Sequence, residues 1–282
     1  MANYTIQDIK DLRALTGAGM TDVKKALDEA EGDQQKAIEL IRKRGLAKAA
    51  KREGNATSEG LVAIHVDDVA AGQVATMIEL NAETDFVVKN EKFVALADQV
   101  LAAVAAAGAA DAEAALAAPV GGETVADLIA AAAGTLGEKI VLARVARVEG
   151  PKVTTYLHRT AKDLPPSIGV VVVTTTSGEA VEAAAKDVAQ HVAAMAPRYL
   201  TREDVPADVV DKEREIAREL SIAEGKPEAA LPKIVEGRLG GFFKENVLLE
   251  QPLAKDTKTT VAKHVEAAGG ELATFVRFRV GN

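Results

Sequence analysis

Residues 73–101 constrain this chain more than any other stretch. Gln73-Val74-Ala75-Thr76-Met77-Ile78-Glu79-Leu80 alternates like a strand and runs into the turn-prone Asn81. From Asn90 to Leu101 the apolar residues fall at helical spacing, and Asn90 is placed to cap the helix. Asn81-Ala82-Glu83-Thr84-Asp85-Phe86-Val87 therefore sits where a strand hands over to a helix. Loops mounted on such a rigid frame are where binding residues concentrate. An acid beside a large aromatic at this point has two readings. Phe86 is a wedge for an apolar slot on a partner, with Asp85 setting the polar register, or Phe86 opens the helix and packs into the core. Spacing alone favours the core reading.

The rest of the chain supplies the frame. With 282 residues the sequence is too long for one small module, and two or three domains are expected. Only 3% of residues are aromatic although 48% are hydrophobic, so the core must be built from Ala, Val, Leu and Ile. The absence of cysteine removes disulfides, thiolate nucleophiles and cysteine metal sites. Met1-Ala2-Asn3-Tyr4-Thr5-Ile6 lacks a signal-peptide pattern, and the longest apolar run, Leu101 to Ala110, is short of a membrane span. A soluble cytoplasmic protein is expected. A net charge of −8 opposes a general nucleic-acid binder, because phosphate contacts need a basic face.

Residues 1 to about 54 read as a small helical bundle. Ile6, Ile9, Leu12 and Leu15 predict a first helix, broken at Thr16-Gly17-Ala18-Gly19-Met20. Thr21 is expected to cap a second helix carrying Val23, Ala26 and Leu27, which ends at Gly32. Asp33 caps a third with Ala37, Ile38 and Ile41, and Gly45 is expected to stop it. Arg42-Lys43-Arg44, Lys48 and Lys51-Arg52 form a basic connector, read as a solvated helix end in preference to an RNA contact.

Residues 60 to about 200 read as an α+β core of two related halves. The first is Leu61–Asp67, Gln73–Leu80 and the helix after Asn90. The second is Ile140–Val148, Val153–Leu157, Ile168–Thr175 and a helix from about Gly178 to Ala196. Between them Ala102 to Ala133 is so Ala-rich that short, loosely packed helices are expected, broken at Pro119-Val120-Gly121-Gly122. Two amphipathic stripes follow, Val209-Val210, Ile216, Leu220, Ala223 and then Leu231, Ile234-Val235, Leu239, Phe242, separated by Gly225-Lys226-Pro227. They predict a protruding antiparallel helical hairpin, with Pro232 tolerated in a first turn. Thr259–Ala267 reads as a helix and Leu272–Val280 as a strand returning to the core.

Chemistry-bearing motifs are missing. His65, His158, His191 and His264 lie far apart, and none has metal-ligand spacing. Thr16-Gly17-Ala18-Gly19 lacks the lysine and preceding strand of a phosphate loop, and there is no Gly-x-Ser-x-Gly elbow. No cofactor is called for, and a binding module is a better class than an enzyme.

The motifs in their order resemble bacterial elongation factor Ts. Leu12-Arg13-x-Leu15-Thr16-Gly17-Ala18-Gly19-Met20-x-Asp22-x-Lys24-Lys25-Ala26-Leu27, Gly32-Asp33 and Ala37-Ile38 are similar to the family's N-terminal module. Thr84-Asp85-Phe86-Val87-x-Lys89 is similar to its second signature. Gly137-Glu138-Lys139-Ile140, Ile168-Gly169-Val170, His191-Val192-Ala193-Ala194, Val235-Glu236-Gly237-Arg238, Glu250-Gln251-Pro252 and Lys258-Thr259-Thr260-Val261 continue the match over nearly the whole chain. The resemblance reverses the preference for Phe86 as core.

It implies a factor of protein biosynthesis that binds elongation factor Tu, GDP-bound and then nucleotide-free, and accelerates GDP release. It implies a module similar to ubiquitin-associated domains at 1–54, core halves at 55–140 and 141–204, a coiled-coil hairpin at 205–249 and a return segment at 250–282. Implied contacts with Tu are Thr84, Asp85, Phe86 and Val87 at the wedge. Leu12, Met20 and Lys24 are implied in the N-terminal module, with Leu136 and Gly137 at a further contact and His158 in a Tyr-x-His pattern. Asp85 and Phe86 are implied to intrude near the nucleotide and disturb the Mg²⁺ site. The hairpin is implied in partner or self contacts, a homodimer among them. Two departures stand out. Many relatives continue into a further C-terminal helical module, whose Tu contacts are expected to be missing here. Arg159-Thr160-Ala161-Lys162-Asp163-Leu164-Pro165-Pro166 is longer than the family turn.

Overall fold

The computed structural model describes residues 3–281, with the side chains of Leu46, Lys48, Ala49 and Ala50 outside that description. Three helices open the chain: α1 (Ile6–Thr16), α2 (Met20–Glu29) and α3 (Gln34–Ala50). Thr5 and Asp8 form a reciprocal capping box at the start of α1. Leu12, Val23, Ala26, Leu27 and Ala37 make the module's own small core. Asp33 caps α3 through the Lys36 amide, as its spacing predicts, at 3.0 Å. Two expectations fail. Gly19, not Thr21, is the N-cap of α2, and Thr21 lies inside the helix. Gly45 does not stop α3, which runs on to Ala50.

The role of Gly45 is close approach. It faces Gly134 of α7 (Val125–Leu136), and a Cβ on Gly45 would stand 3.1 Å from the Gly134 Cα. The paired glycines let two helix backbones meet, seating the N-terminal module on the core. Arg42 bonds Glu123 at 2.8 Å, and the Thr135 hydroxyl donates to the Thr16 carbonyl at 3.2 Å, closing the same seam. The basic connector is thus partly paired internally, with Arg44 on Glu29 and Arg52 on Glu83, while the side chain of Lys48 lies outside the described residues.

The remaining chain is α+β. In order it carries β1 (Glu59–Val69), β2 (Gly72–Ala82), α4 (Asp85–Val88), α5 (Glu91–Ala107), α6 (Ala112–Leu116), β3 (Pro119–Val120), β4 (Glu123–Thr124) and α7. Then come β5 (Ile140–Gly150), β6 (Lys152–His158), β7 (Ile168–Thr174), α8 (Glu179–Met195), α9 (Ala207–Ala223) and α10 (Leu231–Asn246). The chain closes with β8 (Pro252–Leu253), β9 (Asp256–Thr260), α11 (Val261–Ala267) and β10 (Leu272–Arg279). The two main sheets have strand orders β1-β2-β5 and β10-β7-β6, all pairs antiparallel.

The strand at Ile140 was expected in the second half, but β5 pairs with β2 along Ala82↔Ile140 to Gln73↔Gly150. The second sheet instead takes its third strand from β10, paired to β7. Proximity in sequence grouped β5 with β6, because the link between them is the single residue Pro151. That tight link is what carries the chain from one sheet to the other.

The sheets face each other across Val62, Ala75, Met77, Val153, Val171, Val173 and Phe278. α5 and α7 cover the outer face of the first sheet, and α8 and α11 the outer face of the second. β2 is therefore buried on both sides, and its alternation does not separate core from solvent: Thr76, Glu79 and Asn81 are buried with their neighbours. Glu79 holds Arg144 at 2.5 Å, which keeps its charge compensated.

The Ala-rich segment is also better packed than expected. Ala103, Ala109, Ala115, Ala118 and Ala133 all lie in the largest core cluster. Small side chains there shorten the distance between helices rather than loosen the packing.

α9 and α10 form the expected hairpin, turning at Gly225 with φ 71°. Leu231, Val235, Leu239 and Phe243 of α10 and Ala217 and Ser221 of α9 are buried, and Leu239 and Phe243 cluster with Val205 and Val247. Ile216 and Leu220, expected in the stripe, are exposed.

His191 in α8 fixes the base of this hairpin. Its Nε2 bonds Gln251 Oε1 at 2.7 Å, its Nδ1 accepts from the Ala254 amide at 3.0 Å, and Gln251 Nε2 donates to the Glu245 carbonyl of α10 at 2.7 Å. That pattern requires a neutral ring, and burial holds its pKa below the ordinary value. The unfolded chain then binds a proton that the native state refuses. Stability is fully present above pH about 6.5 and is lost as the pH falls below it, at no more than about 1.4 kcal/mol per pH unit for this one group. Urea unfolding from pH 7.5 to 5 should show that slope, and His191→Gln should flatten it relative to the wild type.

Candidate partner-binding site

β2 delivers its last residues to a braced corner. Glu83 accepts from the Lys139 amide at 2.7 Å, from Asn55 Nδ2 at 2.8 Å and from Arg52 at 3.0 Å. The Lys139 bond leads in holding its carboxyl below the usual range, so it stays ionised. One residue on, the Thr84 amide and hydroxyl both donate to the Glu138 carboxylate, at 3.0 and 2.5 Å. Glu138 follows Gly137, the left-handed C-cap of α7 at φ 77°. Thr84 and the Leu136–Gly137 turn, singled out separately in the sequence, are thus tied together through Glu138.

From this corner α4 makes a single turn. Val87 and Val88 point into the first core, and Asn90 caps α5 through the Lys92 amide at 2.9 Å. Phe86 points outward and is 79% exposed, so the core reading of Phe86 is wrong. An exposed Phe forgoes roughly 1.5–3 kcal/mol of burial that a partner's pocket can restore. Asp85 beside it bonds Lys89 Nζ at 2.8 Å, and Lys89 lies 5.9 Å from the centroid of the Phe86 ring. Lys89 also reaches Asp163 at 2.9 Å; the two carboxylates, Asp85 first, raise its pKa.

His158 ends β6, exposed, with Tyr156 Oη 3.1 Å from its Nδ1. It lines a groove of about 340 Å³ with Tyr156, Gln190, Arg277 and Arg279. The segment after it returns to the Asp85–Phe86 turn: Ser167 N–H closes on the His158 carbonyl at 3.0 Å, and Asp163 lies on Lys89. His158 and the Asp85–Phe86 turn are thereby joined by one stretch of chain.

In the N-terminal module Met20 is 57% exposed and Lys24 is exposed, as direct contacts need. Leu12 is 2% exposed and Val87 is buried, so neither can touch a partner directly; both hold the surface from below. Sequence reasoning missed Leu15 as a surface residue, although it is 72% exposed beside the Gly17–Gly19 turn. It also missed Glu138 and Asp163, whose roles depend on contacts across 54 residues and across the two halves. Among the described residues no cluster of His, Asp and Glu is gathered to hold a metal ion, and no helix is long and apolar enough to cross a membrane.

Comparison with known proteins places these features in a family. The profile described as Elongation factor TS matches residues 83–282, the greater part of the chain. Elongation factor Ts of Beutenbergia cavernae is 60% identical over 283 residues, covering 100% of both chains. That of Renibacterium salmoninarum is 58% identical over 281 residues, and that of Micrococcus luteus 56% over 282, each again covering 100% of both chains. With an exposed Asp85–Phe86 turn, a three-helix N-terminal module and a two-sheet α+β core in place, the chain belongs to the elongation factor Ts family, whose role is in translation elongation.

Proposed function

We propose that the protein is a guanine-nucleotide exchange factor for elongation factor Tu. It binds Tu·GDP, promotes release of GDP by disturbing the magnesium and phosphate site, and leaves when GTP enters. The observation that carries this reading is Phe86, exposed on a turn whose every neighbour is braced. A rigid frame presenting a bare aromatic beside an acid suits intrusion between elements of a partner.

Linkage gives the mechanism its form. Factor and nucleotide weaken each other's hold on Tu by the same factor, so the final balance of GDP and GTP is untouched and only the barrier falls. The work lies in contacts made better to nucleotide-free Tu than to Tu·GDP. Phe86 fills an apolar slot in that state. Asp85 brings negative charge toward the metal site, where the cation is often the largest local charge, so displacing it weakens phosphate binding disproportionately. Leu15, Met20 and Lys24 supply a second contact from the N-terminal module, while His158 supplies a third beyond the strap that ends at Ser167.

The factor does no bond chemistry and is not an enzyme in this reading. The test is release of a fluorescent GDP analogue from Tu with and without the chain; a rate that the chain leaves unchanged overturns the proposal. Deleting the hairpin helices, 207–246, and joining the ends with a short flexible linker, so that Leu248 stays in the second core, should spare most of that stimulation. The hairpin's buried Leu239 and Phe243 pack at its base with Tyr199, Val205 and Val247 rather than on the two main sheets, and the loss should fall on secondary contacts with Tu or on self-association. Stimulation collapsing in a folded deletion variant would place the hairpin in the exchange machinery.

A further inference from the structure

We infer that Asp163 is a positioning residue of the exchange site, the outer half of a carboxylate clamp that holds Lys89 so that Asp85 is free to engage the partner. The inference rests on the proposed exchange role of the Asp85–Phe86 turn and extends it to the segment after His158.

The geometry is specific. Lys89 Nζ lies 2.8 Å from Asp85 and 2.9 Å from Asp163, and it stands over the Phe86 ring at 5.9 Å. Asp163 does not reach this point on a loose loop. Leu164 packs against the first core, the Pro166 carbonyl accepts from the Val62 amide at 2.8 Å, and Ser167 donates to the His158 carbonyl at 3.0 Å. The Ser167 carbonyl accepts in turn from Val280 at 2.9 Å. A segment leaving the second sheet is thus strapped across β1 and ends its reach on the wedge.

The charge arithmetic explains what this does. With Asp85 as its only partner, Lys89 would neutralise the acid, and pulling Asp85 toward another protein would strand the ammonium. A second carboxylate removes that penalty: Lys89 stays paired when Asp85 lets go. Two acids and one base also leave one net negative charge beside the bare ring. Held by Asp163, the ammonium keeps its cation–π contact, so the Phe86 rotamer is set before the partner arrives and less ordering is left for association.

Exposed pairs are individually small, so the expected effect is modest but structured. Asp163→Asn should reduce stimulated GDP release about two- to fivefold, mainly through a higher half-saturating concentration, with an unchanged melting temperature. Lys89→Met should reduce it as well, and the double variant should be no worse than Lys89→Met, because the two residues act through one contact. A fluorine label on the six phenylalanines gives a readout independent of Tu. The Phe86 resonance, assigned by Phe86→Leu, should shift and broaden in Asp163→Asn. Wild-type activity in Asp163→Asn, additive losses in the double variant, or an unmoved Phe86 resonance would each overturn the clamp. Failure of the exchange reading shows separately, as no stimulation by the wild-type chain, and the fluorine measurement then decides the clamp by itself.

Discussion

Phe86→Ala is expected to lower the stimulation of GDP release from Tu by about a hundredfold, since a buried aromatic anchor at an interface is worth roughly 2–4 kcal/mol. Its melting temperature should stay at the wild-type value, because the ring is 79% exposed in the free protein and contributes nothing to the buried core. The neighbouring residue supplies the control. Val87 is buried in the first core, so Val87→Ala should lose roughly 0.5–3 kcal/mol of stability while retaining the exposed ring. The pair of variants separates an interface role from a packing role on one turn of helix. Asp85→Ala should cost more exchange at high Mg²⁺ than at low, because its action is opposed by the metal it displaces. A Phe86→Ala protein that exchanges normally, or that unfolds, would remove the wedge from the mechanism.

What made this turn legible in the sequence, and what hid its neighbours, has a physical explanation. Strand, cap and helix are local, so β2, the Asn90 cap and α5 follow from spacing, as do α1 to α3 and the hairpin. Which way Phe86 faces is not local. One turn of helix has no periodicity to read, and only the burial of Val87 and Val88 on the other side forces Phe86 outward. Gly45 shows the same limit from the other direction. A glycine after a helical run reads as a stop, yet here the partner that explains it, Gly134, lies on a helix far away in the chain. The same holds for β5, whose strand character is plain from sequence but whose sheet is set by pairing with β2. The alanines of 102–133 look featureless until two helices are brought together, and then their lack of bulk is the fit. The braces of the site, Glu83, Glu138 and Asp163, are ordinary surface acids by composition. Their significance appears only when Lys139, Thr84 and Lys89 are placed opposite them.

Removing the N-terminal module should leave a folded core that binds Tu at least about tenfold more weakly, a loss of about 1.4 kcal/mol or more. The module has its own core around Leu12, Val23 and Leu27, a cluster it shares with no residue of the two sheets. It is nonetheless seated on α7 by the Gly45–Gly134 crossing, with Leu15 and Met20 exposed on its surface. Two contact surfaces on one rigid body reinforce each other, because the second closes without a new loss of translational freedom. The cut must fall before Lys51. Arg52 and Asn55 hold Glu83, and Lys139 Nζ donates to the Glu53 carbonyl at 2.5 Å, so a deeper cut would loosen the Thr84 corner and confuse the result. A Gly45→Leu variant of the full chain gives the complementary test. It keeps every contact residue but forces the helices apart, so it should weaken Tu binding while leaving the module folded. Calorimetry on both variants decides the matter: undiminished affinity in the truncated core would mean that the module contributes no contact. Full affinity in Gly45→Leu together with a loss in the truncated core would mean that the module binds Tu without needing its seat.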